Sequence, residues 1–269
     1  MIGGGQLARM MAPAATNLGL NLHILAETPQ VGAVAAVRTA VVGDYKNLDT
    51  LREFAAGKDV ITFDHEHVPT ELLHTLIAEG VNVQPRPEAL QYAQDKLLMR
   101  AAIERLGLPN PRWAKVSTLT ELLEFGDATG WPVVLKTPRG GYDGKGVLVL
   151  ESAGDARERA ASWFDQLESR TDFSSLLAEE KVPFTRELSA LVARRESGQV
   201  IPWPVAETIQ VHSVCDEVIS PAPNLEAQVA AAASEAAVHI ATELGVTGVM
   251  AVELFEVPGS ASGFYINEL

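Results

Sequence analysis

The sequence predicts an α/β chain in two parts, a Rossmann-like parallel-sheet domain over residues 1–95 and a mixed α+β domain over residues 96–269. Three observations carry this. Over the first hundred or so residues, short β-rich runs alternate with helical stretches, the pattern of a doubly wound sheet. That alternation stops at Gly107, Pro109 and Pro111, and the strands that follow come in less regular order around glycine-rich turns. A length of 269 residues suits two domains of about 150 each. The boundary is set at Lys96, ahead of the prolyl stretch, because that lysine belongs with the chemistry of the second part.

Leu20–Ala26, Thr39–Val42, Val60–Phe63 and Val81–Gln84 read as strands, with helices over Leu7–Leu18 and Leu48–Ala56 between them. Glu88–Leu106 reads as one helix, ended by Gly107. In the second part Val133–Thr137 and Val147–Leu150 flank a glycine loop, and Leu176–Val182, Glu187–Arg194, Val200–Glu207 and Thr247–Val257 read as further strands. Leu225–Leu244 is an alanine-rich helix with Asn224 as its N-cap and Gly245 just past its end. Both ends of the chain read as cut. Gly3 lies where a strand of about five residues would precede it, and the closing strand Phe264–Leu269 stops without a cap.

Twenty-one basic residues against 35 acidic ones leave a net charge of −14, with no basic stripe, which argues against nucleic acid as a partner. The single cysteine, Cys215, excludes an internal disulfide and reads as a small buried hydrophobe in a reducing compartment. No apolar run reaches the roughly 18 residues of a membrane span, and no leader is visible. The expectation is a soluble cytoplasmic protein without a membrane partner.

The run Gly140-Gly141-Tyr142-Asp143-Gly144-Lys145-Gly146 carries the most chemistry. Four glycines let a backbone approach a ligand closely, consecutive N–H groups can cradle an anion, and Lys145 adds a cation. It is neither a Walker A loop nor a kinase loop, since Lys145 is followed by Gly146 and no hydroxyl. Lys136 ends the apolar strand before it, where a charge needs a partner such as a phosphate. Without a ligand, the same run would be a glycine-rich hairpin loop.

Glu253 and Glu268 lie in strands joined by Pro258–Gly263. A symmetric turn pairs Pro258 with Gly263 and sets the two glutamates opposite each other, with Cβ atoms about 5 Å apart. A divalent cation resolves that repulsion, and oxygen ligands suit Mg²⁺ or Mn²⁺. At the other end, Gly3-Gly4-Gly5-Gln6-Leu7-Ala8 satisfies G-x-G-x-x-A, and Glu27 follows the next strand at the spacing of a ribose ligand. Taken by itself this admits a dinucleotide site. His65 and His67 flank Glu66 in a loop after a strand and lack the helical spacing of a metal motif.

These segments together resemble the N5-carboxyaminoimidazole ribonucleotide synthases of the ATP-grasp superfamily. The resemblance runs through Gly3–Met11, Lys136–Gly146, Glu179–Ser189, Trp203–Glu207, Thr247–Phe255 and Ile266–Leu269, nearly the whole chain in order. It implies a pre-ATP-grasp domain followed by an ATP-grasp domain. It also implies a reaction in which ATP, bicarbonate and 5-aminoimidazole ribonucleotide give the N5-carboxy product through carboxyphosphate. By resemblance Lys96 and Lys136 contact ATP phosphates, and Gly141, Tyr142, Asp143, Gly144, Lys145, Gly146 and Val147 close over them. Tyr142, Asp143 and Lys145 are the candidate catalytic residues, with the first two facing the ribonucleotide. Glu179, Glu180, Lys181 and Val182 line the adenine site through the backbone, Glu187 holds the ribose, and Gln210 stands in the ATP site where other members have histidine. Glu253 and Glu268 carry the metal beside Asn267, while Gly5, Gln6 and Glu66 help form the ribonucleotide site. Lys96 stands where some members have arginine, and the family pattern continues past Leu269 into a domain that binds the substrate phosphate. A homodimer is implied as the assembly. Two alternatives remain at this point: another ATP-grasp ligase or carboxylase, and an NAD(P)-dependent oxidoreductase.

Overall fold

Parallel pairing begins with the first residues of the chain. In the computed structural model, which describes residues 1–140, 146–167 and 169–269, β1 (Ile24–Ala26) pairs in parallel with β2 (Ala40–Val42). Ile2 bridges Leu25 on one side and Phe63 on the other, and Ile61 bridges Val83. The sheet order is therefore residues 40–42, 24–26, 2, 61–63 and 83, a doubly wound arrangement whose connections reverse direction at Ile2. Alternation along β1 decides what covers each face. Leu25 packs with Leu51 and Phe54 of α2 (Leu48–Ala55) and with Leu73 and Leu76. Ile24 and Ala26 pack with Ala8, Ala33 and Val37 on the other side. Ala8 belongs to α1 (Gln6–Asn17), and Leu73 and Leu76 to α3 (Thr70–Ala78).

The chain divides into two compact units, Met1–Leu90 and Gln91–Leu269. The single helix expected over Glu88–Leu106 is in fact two, α4 (Pro87–Gln94) and α5 (Lys96–Arg105). Asp95 leaves the helical region at φ −135° and ψ 108°, and its carboxylate accepts the N–H groups of Leu97 and Leu98. An aspartate that caps its own downstream helix competes with continuation of the helix before it.

The second unit holds two antiparallel sheets. β3 (Trp113–Val116), β4 (Val133–Lys136), β5 (Val147–Leu150) and β6 (Leu176–Glu180) pair in the order β3-β6-β4-β5. Val133, Leu135, Leu150, Leu176 and Ala178 pack there with Leu122 of α6 (Leu119–Thr129), Ala156 of α7 (Ala153–Arg159) and Leu167 of α8 (Ala161–Leu167). The larger sheet runs β10-β9-β7-β11-β12, with β8 also on β7. Its strands are β7 (Arg186–Arg194), β8 (Val200–Pro202), β9 (Ala206–Val211), β10 (Val214–Ile219), β11 (Gly248–Glu256) and β12 (Phe264–Glu268). Against β7, β8 and β11 lies α9 (Ala227–Glu243), which buries Ala233, Ala236, Ala237, Ile240 and Ala241.

Three local readings change. The strand expected over Val200–Glu207 breaks between β8 and β9, where Pro202 and Pro204 supply no N–H to a ladder. From β9 the chain turns through His212 and Ser213, at φ 52° and 64°, into β10, a fully exposed edge strand with no apolar alternation to announce it. Cys215 lies in that strand and is exposed rather than buried. Asn224, expected to cap the long helix, sits at φ 54° in the preceding turn, and Glu226 takes the cap position without a side-chain bond. Among the described residues no helix is long and apolar enough to cross a membrane.

A buried cluster of charges links the elements of this unit. Glu179 on β6, only 3% exposed, accepts hydrogen bonds from Arg100 Nε and, at 2.7 Å, from Lys136 Nζ. Burial pushes the Glu179 carboxyl up, but the charges of Lys136 and Arg100 outweigh it and hold it at about 2. Because that lies below the unfolded value of 4.5, its stabilisation is complete above pH 4.5 and is lost as pH falls through about 2. Glu179→Gln, which leaves two buried cations facing an amide, is expected to cost about 3–5 kcal/mol at neutral pH. Urea denaturation of both proteins along a pH series checks this, and the gap should narrow on acidification through that window.

Candidate functional site

Strand alternation assigns the chemistry of the larger sheet to one face. Leu188, Ala190, Val192, Val252 and Leu254 are buried, and the intervening positions of β7 and β11 carry Glu187 and Glu253. On β9, Thr208 pairs with Glu187, which puts Gln210 two residues further along the same face. Burial pushes the Glu187 carboxyl up, and a hydrogen bond from the Gln210 side chain works against it. Cys215 of β10, paired with Gln210 of β9, lies within the electrostatic reach of Glu253 and Glu187.

Glu253 and Glu268 are opposed, though by a different route from the symmetric turn. Val257, not Pro258, bonds to Gly263, and Leu254 to Glu256 pair with Ile266 to Phe264 one step out of the expected register. A bulge then sets Glu268 opposite Glu253, leaving Asn267 as the extra residue. Asn267 Nδ2 donates to Glu253 at 3.4 Å. Glu253 keeps contact with solvent while lying deep among protein atoms; that desolvation, followed by the Glu268 and Glu187 charges, pushes its carboxyl above the ordinary carboxylate range. Two hard oxygen donors in mutual repulsion fit a Mg²⁺-type cation. No group of three or more metal-ligating side chains occurs among the described residues.

The lysines converge on the same region. Lys96 opens α5 and meets Glu268 at 3.1 Å, and Lys136 contributes to the field at Glu253. The counter-charge that Lys136 needs comes from within the protein, from Glu179, rather than from a ligand alone. Glu179 is thereby committed through its carboxylate. Its neighbour Glu180 bonds to Arg112, Lys181 N–H bonds to Pro132 O at 3.3 Å, and Val182 is buried. The base of the glycine loop is tied to α5: Lys96 N–H bonds to Pro138 O at 2.9 Å, and Arg139 Nε bonds to Asp95 at 3.0 Å. Thr137 N–H closes the loop onto Gly146 O at 2.9 Å. Gly146 has φ 74°, and Val147 starts β5 half open to solvent. Gly141, Tyr142, Asp143, Gly144 and Lys145 lie outside the described residues.

The N-terminal glycine turn has a different character from the one its motif suggests. Gly4 N–H donates to Glu27 Oε2 at 3.1 Å, and Gly5 N–H to Asp64 Oδ2 at 2.9 Å. His65 Nε2 lies 3.1 Å from the other Glu27 oxygen. Gly3 holds φ 100°, and a Cβ there would lie 1.6 Å from Asp64 Oδ1. The amides that a pyrophosphate would use are taken by carboxylates, and the expected ribose ligand Glu27 is one of them. This removes the physical basis of the NAD(P) alternative. Gly5 and Gln6 line a cleft of about 410 Å³ with Glu27, Asp64 and His65, and Glu66 lies half-buried two residues beyond Asp64.

Sequence reasoning passed over Arg100, Asp95 and Asp64 as parts of these sites. For Arg100 a signal existed: it lies four residues after Lys96, hence on the same helix face, among Met99, Ala102 and Ile103.

The comparisons agree with this geometry. The family of ATP-grasp domains matches residues 101–269, and the ribonucleotide synthetase preATP-grasp domain matches residues 1–94. The N5-carboxyaminoimidazole ribonucleotide synthase of Mycobacterium bovis is 47% identical over 269 residues, covering 100% of this chain and 61% of the relative. The ADP complex of an N5-carboxyaminoimidazole ribonucleotide synthetase superposes with a TM-score of 0.88 at 33% identity, over 99% of this chain and 68% of that one. The Aspergillus clavatus enzyme in complex with ADP and 5-aminoimidazole ribonucleotide gives a TM-score of 0.82 at 27% identity, over 99% and 68%. The chain thus spans about three fifths of the length of the curated relatives it matches. With the family of its larger unit, the opposed carboxylates and these relatives in agreement, the chain belongs to the ATP-grasp superfamily and, within it, to the N5-carboxyaminoimidazole ribonucleotide synthase family.

Proposed function

We propose that this protein catalyses the ATP- and bicarbonate-dependent carboxylation of 5-aminoimidazole ribonucleotide, giving N5-carboxyaminoimidazole ribonucleotide, ADP and phosphate in purine synthesis. The observation that carries the reading is the pair of opposed glutamates, Glu253 and Glu268, with Lys96 and Lys136 beside them. Phosphoryl transfer demands little covalent chemistry of a protein, and mainly positioning and charge neutralisation. That demand suits a site of lysines and carboxylates.

In this reading Lys96 and Lys136 hold the ATP phosphates, Glu187 with Gln210 holds the ribose, and the backbone of residues 179–182 receives the adenine. Glu253 and Glu268 hold Mg²⁺ with Asn267 beside the phosphates; when bound, the ion neutralises charge on the phosphate oxygens during transfer. The terminal phosphoryl group passes to bicarbonate, forming carboxyphosphate and releasing ADP. The carboxyl group then passes, directly or as CO₂, to the 5-amino nitrogen, which gives up a proton, and inorganic phosphate leaves. Tyr142, Asp143 and Lys145 in the glycine loop, with Gly5, Gln6 and Glu66, are assigned to the acceptor and to shielding the labile acyl phosphate from water. We assign the protein to the cytoplasm as a homodimer, by the same resemblance.

The direct test is turnover. ADP release with bicarbonate present should rise when 5-aminoimidazole ribonucleotide is added, and bicarbonate should be consumed in step; equal rates with and without it would sink the acceptor assignment. Glu268→Gln should lower turnover about 100-fold or more while leaving the melting profile intact, and undiminished turnover with Mg²⁺ would remove Glu268 from the metal site.

The raised Glu253 carboxyl gives a pH signature. A cation at this pair competes with a proton, so Mg²⁺-dependent nucleotide binding should weaken on acidification, and should begin to do so at a higher pH than an ordinary glutamate would cause. Glu253→Gln should flatten that dependence in a calorimetric pH series; an unchanged slope would show that another group sets it.

A further inference from the structure

Arg100 has no place in the reaction as set out, yet it is fully buried at the centre of the unit that carries the site. Its guanidinium makes four hydrogen bonds: Nε to Glu179, one terminal nitrogen to Asn110 Oδ1 at 3.1 Å and Ile266 O at 2.7 Å, and the other to Asn267 O at 2.9 Å. The last two acceptors sit at the β12 bulge, where Leu254 faces Ile266 and Glu253 faces Glu268. Continued without the bulge, the register would put Asn267 opposite Glu253 and turn Glu268 to the other face of the sheet. A bulge also takes backbone groups off the ladder, and buried carbonyls there need donors.

We propose that Arg100 is a positioning residue for the metal pair, holding the bulge that brings Glu268 onto the face of Glu253. The inference rests on the reading of those glutamates as metal ligands. The planar fork suits the task, since adjacent N–H groups reach the two successive carbonyls while Nε stays on Glu179. A lysine ammonium lacks that spread of fixed donors. Asn110 locks the arrangement, its Nδ2 donating back to Arg100 O at 3.1 Å, and Pro109 O takes the N–H of Ile266 at 3.0 Å. Arg100 thus orients Glu268 through the backbone, as groups behind a metal's ligands commonly do.

Calorimetric titration of ADP binding against Mg²⁺ tests this on the whole chain, with wild type, Arg100→Lys, Arg100→Met and Glu268→Gln. Arg100→Met leaves Glu179 in a one-to-one buried pair with Lys136, so it decides the matter where Arg100→Lys does not melt cooperatively. Both Arg100 variants are expected to need about 10-fold more Mg²⁺ for half-maximal enhancement of ADP binding, with metal-free ADP affinity close to wild type. Equal losses with and without Mg²⁺ would mark Arg100 as merely structural and overturn the proposal. An unchanged Mg²⁺ requirement in the Arg100 variants, where Glu268→Gln raises it, would overturn this proposal alone. If Glu268→Gln behaves as wild type, or wild-type binding ignores Mg²⁺, the metal reading fails and this inference fails with it.

Discussion

A buried carboxylate between two cations is the constraint on which the second unit depends. Glu179 would not stay ionised in the interior without Arg100 and Lys136, and neither cation would be tolerated there without Glu179. The three carry a single net positive charge toward a sheet face rich in acid. Counted with Lys96, Glu187, Glu253 and Glu268, the region holds one more carboxylate than cation. Burial first, and then the charges of Glu268 and Glu187, raise the Glu253 carboxyl. On the proposed reading a divalent ion would reverse the balance, and a polyphosphate would then restore it. In that reading, an acidic chain of net charge −14 builds its phosphate site without a basic surface, because the charges that matter are few and enclosed.

The N-terminal turn shows the same economy with the signs exchanged. A helix start draws negative charge, and in a dinucleotide fold the ligand supplies it. Here Glu27 and Asp64 supply it from the ends of neighbouring strands, while His65 orients Glu27. Gly3 is required because any side chain would strike Asp64. The glycine fingerprint therefore reports tight packing of a turn against a sheet, and the ligand it is usually taken to imply depends on what fills the amides.

What the sequence disclosed, and what it hid, follows from the range of the interactions. Opposed Glu253 and Glu268 could be read because a short hairpin fixes its own register to within one residue, and a one-residue bulge absorbed the error. The parallel sheet could be read from alternating apolar runs. The helix break at Asp95 was equally local, yet it was hidden because the heptad-like apolar pattern continues across it and the aspartate serves the later helix. Arg100 was hidden for the opposite reason: its partners Glu179 and Ile266 lie 79 and 166 positions away, so its apolar neighbours on the helix hint at burial but not at what it would bond. The exposed Cys215 was misread because cysteine burial is a general tendency, whereas an edge strand is a matter of topology.

Asp95 joins two parts of the site that sequence treats separately. One of its oxygens caps α5 and so fixes the first turn, where Lys96 begins; the other holds Arg139 at the base of the glycine loop. The Lys96 N–H meanwhile bonds to Pro138 O, and Thr137 closes the loop's ends through Gly146. The base of the glycine loop is thus tied to the helix that carries Lys96. Arg100, one turn along that helix, fixes the bulge opposite Glu253. A single short helix therefore sets the loop base, the lysine and the carboxylate pair relative to one another, and a shift in any of them must be transmitted to the others through α5.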